Sequence, residues 1–403
     1  MKIAFLTSGI LPVPAVQGGA VESLVDYLLE YNAQQRLHDI TVYSVYHPAV
    51  RYEQALQSDV NHYVYIDTSS LPARVRKWLH GRLHRHTYYH YSIDYFFARA
   101  LRLIRRQHFD CIILENRVGY APQLHAATDA KLVYHLHNDF LNSTTRDGAT
   151  LYRLASRILT VSDHIRRRVQ TCDADDDKTF TVHNGISLAP FSAAPMVSRE
   201  SLGLGADDFV LLFSGRLVAE KGILELIEAM RALSDCPRVK LLVMGSSFYG
   251  GADDDNPFVH RLRSLAAGAE ERIRFTGFVQ HDLMPAYLQL ADVAVIPSVW
   301  DDPFPTTVLE GMAAGLPIIT TDRGGIPEMV TPANAIVIPL PGDLTGSLAE
   351  AVRTLYHDPE RRRTMGQASL RLSAGYSKES YARHFFAALD GLPEPEAPAH
   401  AQC

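Results

Sequence analysis

Short β-rich apolar runs alternate with amphipathic helical patterns along this chain, and the series occurs twice. Such alternation predicts parallel sheets covered by helices, the α/β class. The first series predicts strands over 3–7, 40–44, 111–114, 132–135, 158–161 and 180–182. The second predicts strands over 210–214, 240–244, 273–276, 293–297, 318–321 and 335–338. In the first helix Val21, Leu24, Val25, Leu28 and Leu29 form one stripe at helical spacing. The stretch LAPFSAAPMVSRE (188–200), with two prolines and small residues, reads as the link between two units. A chain of 403 residues is long for one core, which also argues for two domains. The division expected is 1–190 as one Rossmann-like domain and 191–375 as a second. The Pro/Ala/Glu-rich end, 391–403, reads as a disordered tail.

Charge narrows the partners. Residues 1–190 hold 21 Lys/Arg against 18 Asp/Glu, and the remainder 18 against 27. Neither half is the basic domain with a clustered face that nucleic acid requires. The first half is left free to approach an anionic surface. The N-terminus resembles a signal peptide, but its apolar core Ile3–Leu6 is short and Ser-Gly and prolines follow, so a buried strand is expected. The four cysteines are widely spaced, with neither metal-ligand nor disulfide spacing, which fits a reducing cytoplasm. No apolar run is long enough to span a bilayer.

In open α/β sheets ligands bind beyond the carboxyl ends of the strands, so the loops there are the candidates. QGGAVE (17–22) follows the first strand, and Gly18-Gly19 opens a helix whose N–H groups could face an anion or a sugar hydroxyl. A glycine loop needed only to reverse the chain would read the same. GRLVAEKG (215–222) places Arg216 and Lys221 at a helix start, a cationic clamp suited to a pyrophosphate. In YHLHNDF (134–140), His137 is followed by Asn138 and Asp139 at a strand end. The stretch DDPFPTTVLEGMAAGLP (301–317) puts Asp302 before a short helix and Glu310 about one turn inside it. Thr306 or Thr307 is the expected cap, with backbone N–H groups presented to charge. DADDD (173–177) and ADDD (252–255) fit solvated loops better than a metal site.

Together these stretches resemble the retaining, nucleotide-sugar-dependent glycosyltransferases of family 4, which have the GT-B fold of two Rossmann-like domains facing across a cleft. The likeness covers residues 1–390 and is carried by PVPAVQGGAVE, HLHND, VSDHIRRR, VHNGIS, FSGRLVAEKG, FTGFVQHDL, ADVAVIPS and DDPFPTTVLEGMAAGLPIITTDRGGIPE. It implies that Arg216 and Lys221 neutralise the donor diphosphate. Glu310 matches the second acid of the family's E-x₇-E motif and would hold the ribose. Asp302 stands for the first acid, at the sugar, with Asp301 a competitor for that place. Backbone from Phe304 through Pro305 and Thr306 to Thr307 would bind sugar hydroxyls and phosphate. Phe278 and Val279 would wall the base pocket, His137 would face the sugar, and Gly18-Gly19 would lie near the phosphate. A last helix, near 376–390, would cross back to the first domain. Asp302 is one methylene shorter than the family's usual Glu, and Pro305 replaces a common Gly.

The implied reaction moves a sugar from a nucleotide diphosphate sugar, a UDP-sugar being favoured, to a glycan or lipid-linked acceptor in surface polysaccharide assembly. No cofactor or metal is required, because cationic side chains offset the leaving charge. Glu115, Asn116, Arg117, Asn138 and Asp139 are acceptor-side candidates. A catalytically silent nucleotide-sugar-binding or assembly protein, or a GT-B epimerase, are the alternatives. Finally, residues 72–91 hold five Lys/Arg, four His and no acid, with Val75, Trp78, Leu79 and Leu83 on one face. This segment either docks peripherally on the inner face of an anionic membrane or packs its stripe on its own domain.

Overall fold

The computed structural model describes residues 1–52, 58–83, 89–192, 197–247 and 256–389, apart from the side chains of 51, 52, 83, 91 and 92. The tail expected at 391–403 and the ADDD run at 252–255 lie outside the described residues. The chain forms two compact units, one of residues 1–184 with the helix from Lys378 onward, the other of residues 185–377.

In the first unit the strands are β1 (Lys2–Leu6), β2 (Asp39–Val45), β3 (Asn61–Ile66), β4 (Cys111–Glu115), β5 (Lys131–Leu136), β6 (Arg157–Thr160) and β7 (Thr179–Thr181). Its helices are α1 (Ala20–Gln35), α2 (Leu71–Leu83), α3 (Tyr91–Ile104), α4 (Ala121–His125), α5 (Gly148–Leu154) and α6 (Asp163–Gln170). The strands pair in parallel in the order β3-β2-β1-β4-β5-β6-β7. The second unit holds β8 (Phe209–Ser214), β9 (Val239–Met244), β10 (Ile273–Gly277), β11 (Val293–Ile296), β12 (Ile318–Thr321) and β13 (Ala335–Ile338). Its helices are α7 (Ile223–Ala232), α8 (Pro257–Ala266), α9 (Met284–Leu288), α10 (Thr306–Ala313), α11 (Leu344–His357) and α12 (Pro359–Ser373). Its parallel order is β10-β9-β8-β11-β12-β13. The last helix, α13 (Lys378–Leu389), belongs to the first unit.

Both sheets are doubly wound, and strand order reverses between β1 and β4 in one and between β8 and β11 in the other. Loops leaving the carboxyl ends of those strands are where such sheets take ligands. The strands are near-continuous apolar runs because helices cover both faces.

Leu24, Val25, Leu28 and Leu29 of α1 are buried as the stripe requires, each contributing on the order of 2 kcal/mol. Val21, counted in that stripe, is only partly buried. α13 completes this core: Phe385 stacks on Phe5 with centroids 6.0 Å apart, and Lys378 Nζ pairs with Glu30 at 2.7 Å.

Helix α2 is inside out. Its inward face is Ala73, Lys77, whose Nζ donates to the Thr68 carbonyl at 3.1 Å, and His80, which meets Tyr95 edge-on. The opposite face carries Leu71, Val75, Trp78 and Leu79, exposed at 76%, 57%, 53% and 46%. The described part of the predicted stripe thus faces outward rather than packing on its own domain. Arg82 lies over the Trp78 ring at 4.5 Å. Among the described residues no helix is long and apolar enough to cross a membrane.

Candidate functional site

The second unit's candidates converge at its switch point. After β8 the chain runs through Gly215, with φ 143°, to exposed Arg216, then a single turn over Ala219–Lys221, and enters α7 at Gly222. Gly222 has φ 69°, and a β-carbon there would lie 1.8 Å from the Pro297 carbonyl oxygen. Only glycine lets this loop lie against the end of β11. Val299 N donates to the Glu220 carbonyl at 3.0 Å, tying the loop to the acidic segment. Lys221 Nζ then reaches the Asp302 carboxylate and forms an ion pair. Asp302 is nearly buried, and Ser298 Oγ donates to the same oxygen at 3.3 Å. Arg216 has no ion-pair partner among the described residues.

Helix α10 corrects the expected cap. Thr306 and Thr307 are its first two residues, and Pro305, in extended conformation, occupies the cap position. No side chain caps the helix, so no capping side chain takes its first N–H groups. An uncapped helix start that closely follows Asp302, the partner of Lys221, is a place for phosphate oxygens. Phe304 is 4% exposed and packs against Tyr376, so only its backbone could serve a ligand. Glu310, one turn in, is 5% exposed. His281 Nε2 lies 3.6 Å from its carboxylate, and that partner raises the imidazole's pKa despite partial burial. Phe278, which is 43% exposed, and Val279 follow β10 just upstream.

A second cluster stands at the switch point of the first unit. Glu115 ends β4 and is wholly buried. His135 Nδ1 lies 3.0 Å from its Oε2, and His137 Nε2 2.9 Å from the same oxygen. Asn116 adopts a left-handed conformation, φ 61°, and its Oδ1 accepts from His137 N at 2.8 Å. Arg117 Nε donates to the Ser8 carbonyl at 3.0 Å, and Ser8 Oγ to Glu22 Oε1 at 3.4 Å.

Gly18 and Gly19 have φ 75° and 108°, and Gly19 opens α1. A β-carbon on Gly19 would meet the Glu22 carboxylate at 2.3 Å. That carboxyl folds back to its own N–H, so the helix start beside the glycines already holds an acid. Burial pushes Glu22 up to about 7, against the bonds from its own backbone N–H and from the Ser8 hydroxyl. Burial also raises Glu115, but the two imidazoles outweigh it and hold that carboxyl down at about 2. His137 is pushed down to about 4 by burial and by neighbouring His135, against the pull of Glu115. Asn138 is partly exposed, and Asp139 turns to Arg168 Nε at 2.7 Å and to Asn142 Nδ2 at 2.8 Å.

The structure therefore gathers Lys221 with Asp302 in one unit and Glu115, Asn116 and His137 in the other. Three residues that sequence reasoning gave no role, Glu22, His135 and His281, are bonded into these sites. Each lies inside a stretch singled out by its motif, but only the folded register gives it a partner.

Comparison with known proteins agrees with this geometry. The family profile of glycosyl transferases group 1 matches residues 197–371, and that of Glycosyltransferase Family 4 matches residues 18–189. YtcC of Bacillus subtilis (strain 168), which carries a provisional glycosyltransferase name, is 31% identical over 344 residues, covering 82% of this chain and 77% of its own. Spore coat protein SA of the same organism is 28% identical over 385 residues, covering 92% and 94%. Among solved structures, Anabaena Alr3699/HepE in complex with UDP-glucose superposes with a TM-score of 0.74 at 21% identity, covering 97% of this chain and all of that one. Two parallel Rossmann-like sheets and matches across both halves place this chain in glycosyltransferase family 4, with the GT-B fold.

Proposed function

We propose that the protein transfers a hexose, with retention, from a nucleotide diphosphate sugar to a glycan or lipid-linked acceptor in surface polysaccharide assembly. The observation that carries this reading is the Lys221–Asp302 ion pair, which joins the loop after β8, where Arg216 stands, to the segment after β11 that leads into uncapped α10 and Glu310. Glu310 takes the ribose hydroxyls, and Phe278 and Val279 lie against the base. Arg216, Lys221 and the α10 N–H groups take the diphosphate, whose negative charge grows as the glycosidic bond breaks. These groups do the work of a metal ion, so transfer proceeds without one. His137 and Asp302 contact the sugar. Front-face attack follows, with the departing phosphate oxygen accepting the acceptor hydroxyl's proton. UDP is the favoured nucleotide, supported by the structural neighbour solved with UDP-glucose.

The exposed apolar face of α2, flanked by Arg74, Arg76 and Arg82 without an acid, suits peripheral docking on an anionic membrane. This supports a lipid-linked acceptor and a cytoplasmic position at the inner leaflet.

A second reading has its own support. The likeness to spore coat protein SA runs over 92% of the chain, and Asp302 is engaged by Lys221. A nucleotide-sugar-binding assembly protein would bind donor without turning it over.

Thermal-shift titration with nucleoside diphosphates and their sugars, in wild type and Glu310→Ala, tests donor binding. A ligand that binds only the native state must stabilise it. A shift for uridine ligands lost in the variant supports the site, and no shift from any nucleotide removes it. Release of nucleoside diphosphate in the presence of lipid extract then separates transfer from silent binding.

A further inference from the structure

The Glu115–His135–His137 cluster leaves two ring nitrogens unexplained. Glu115 and His135 are register partners on β4 and β5, and His137, two residues on, returns to the same face. The rings stand 4.1 Å apart between centroids and share one carboxylate. Their far nitrogens, Nε2 of His135 and Nδ1 of His137, are enclosed and have no hydrogen-bond partner among the described residues.

With both rings neutral and turned alike, two proton arrangements are open to such a set. If a cation sat among the three side chains, both near nitrogens would present lone pairs and both far nitrogens would carry protons. An imidazole in that role normally donates its other N–H to an acceptor, and here neither would find one. Two enclosed N–H groups would stand unmet, each at a cost of about 1–3 kcal/mol. The alternative puts both protons toward the carboxylate. Glu115, acceptor-only when ionised, is then satisfied from both sides, and only lone pairs stay unmet.

We infer that Glu115 is a positioning residue that accepts from both imidazoles, fixing His137 as the Nε2–H tautomer, with an Nδ1 lone pair that a substrate hydroxyl meets only once the groups now enclosing it move aside. The depressed pKa values of Glu115 and His137 agree, since they keep one ionised and the other neutral at pH 7. A neutral ring offering a lone pair accepts from a hydroxyl and repels a carboxylate in the same place. It therefore selects a neutral sugar over a uronic acid at the position it touches. The substrate part of this inference rests on the proposed role of His137 in the transfer; the tautomer part does not.

The test is nitrogen NMR of the full chain with labelled histidine, His137 being assigned by its loss in His137→Gln. The expected wild-type result is a protonated Nε2 and an unprotonated Nδ1 from pH 6 to pH 8. A protonated Nδ1, alone or as imidazolium, overturns the inference whatever the activity. Glu115→Ala removes the acceptor from both rings, so nothing holds the His137 proton on Nε2. A shifted tautomer signature in that variant is expected, with kcat down at least about tenfold and the donor KM within threefold. Unchanged tautomers in a folded Glu115→Ala overturn it. Full activity of a folded His137→Ala would instead remove His137 from the site and overturn the hydroxyl contact, while the wild-type spectrum still tests the role of Glu115.

Discussion

Lys221 and Asp302 are joined by an ion pair that bridges the loop after β8 and the loop after β11. The lysine proposed for the donor diphosphate is therefore already neutralised in the free protein. Its ammonium also lies 5.8 Å from the Trp300 ring centroid. Asp302 is a side chain shorter than the family's usual glutamate, and in this conformation it meets the cation. A diphosphate arriving at Lys221 must compete with a carboxylate that is only 4% exposed.

That competition makes Asp302→Asn informative. Removing the charge frees Lys221 for phosphate, so nucleoside diphosphate should bind about 3- to 10-fold more tightly, on the order of 1 kcal/mol. Transfer should slow at the same time, because the proposed sugar contact loses its acceptor strength. Calorimetric titration with UDP, beside a turnover assay, reads both. Weaker UDP binding in a folded variant would mean that the carboxylate supports the nucleotide rather than competing with it.

His281 predicts a pH effect on the same ligand. The Glu310 carboxylate beside it raises its pKa. As pH falls through that raised value, the imidazolium pairs with Glu310 and competes with the ribose hydroxyls. UDP affinity should drop several-fold between pH 8 and pH 6, and His281→Ala should flatten the profile. An unchanged profile in the variant would place the titrating group elsewhere.

Much of this was legible in the sequence, for identifiable reasons. Twelve strands stand out because parallel strands covered on both faces are short unbroken apolar runs. One further strand among the described residues, β3, was missed. NHYVYI is an edge strand with polar residues, and its Asn61 is buried only because Asn32 Nδ2 and the Leu29 carbonyl bond it, each at 2.7 Å. The site loops were legible where chemistry is written into adjacent residues, as in GRLVAEKG. Glu22, His135 and His281 were not, because their partners come from register and burial. The cap at Thr306 or Thr307 failed because composition favours a threonine cap while Pro305 holds that position.

Glu22 carries a stability prediction whose sign follows from burial. Its folded pKa, about 7, lies above its ordinary 4.5, so the folded state holds the proton more tightly than the unfolded chain. The group costs nothing below pH 4.5, and the cost grows from there to pH 7, reaching about 3 kcal/mol. Glu22→Gln should therefore stabilise the protein at pH 8 and change little at pH 4.5. Urea midpoints of both proteins at the two pH values check this. Equal differences at both would show that Glu22 ionises freely in the folded state.

The outward face of α2 supplies the last prediction. Leu71, Val75, Trp78 and Leu79 hold no core contact whose loss would unfold the protein, since all four are at least 46% exposed. Trp78→Ser with Leu79→Ser should alter stability by no more than about 0.5 kcal/mol. If this face docks on lipid, the same pair should weaken binding to phosphatidylglycerol-containing vesicles at least about tenfold, since binding scales with the apolar area inserted. Arg74→Gln with Arg76→Gln should weaken it too, at about 1 kcal/mol per charge, and salt should erase that difference. Vesicle sedimentation reads all three. Binding that is absent in wild type, or indifferent to both pairs, would leave this face to a protein partner and remove the argument for an acceptor held in the membrane.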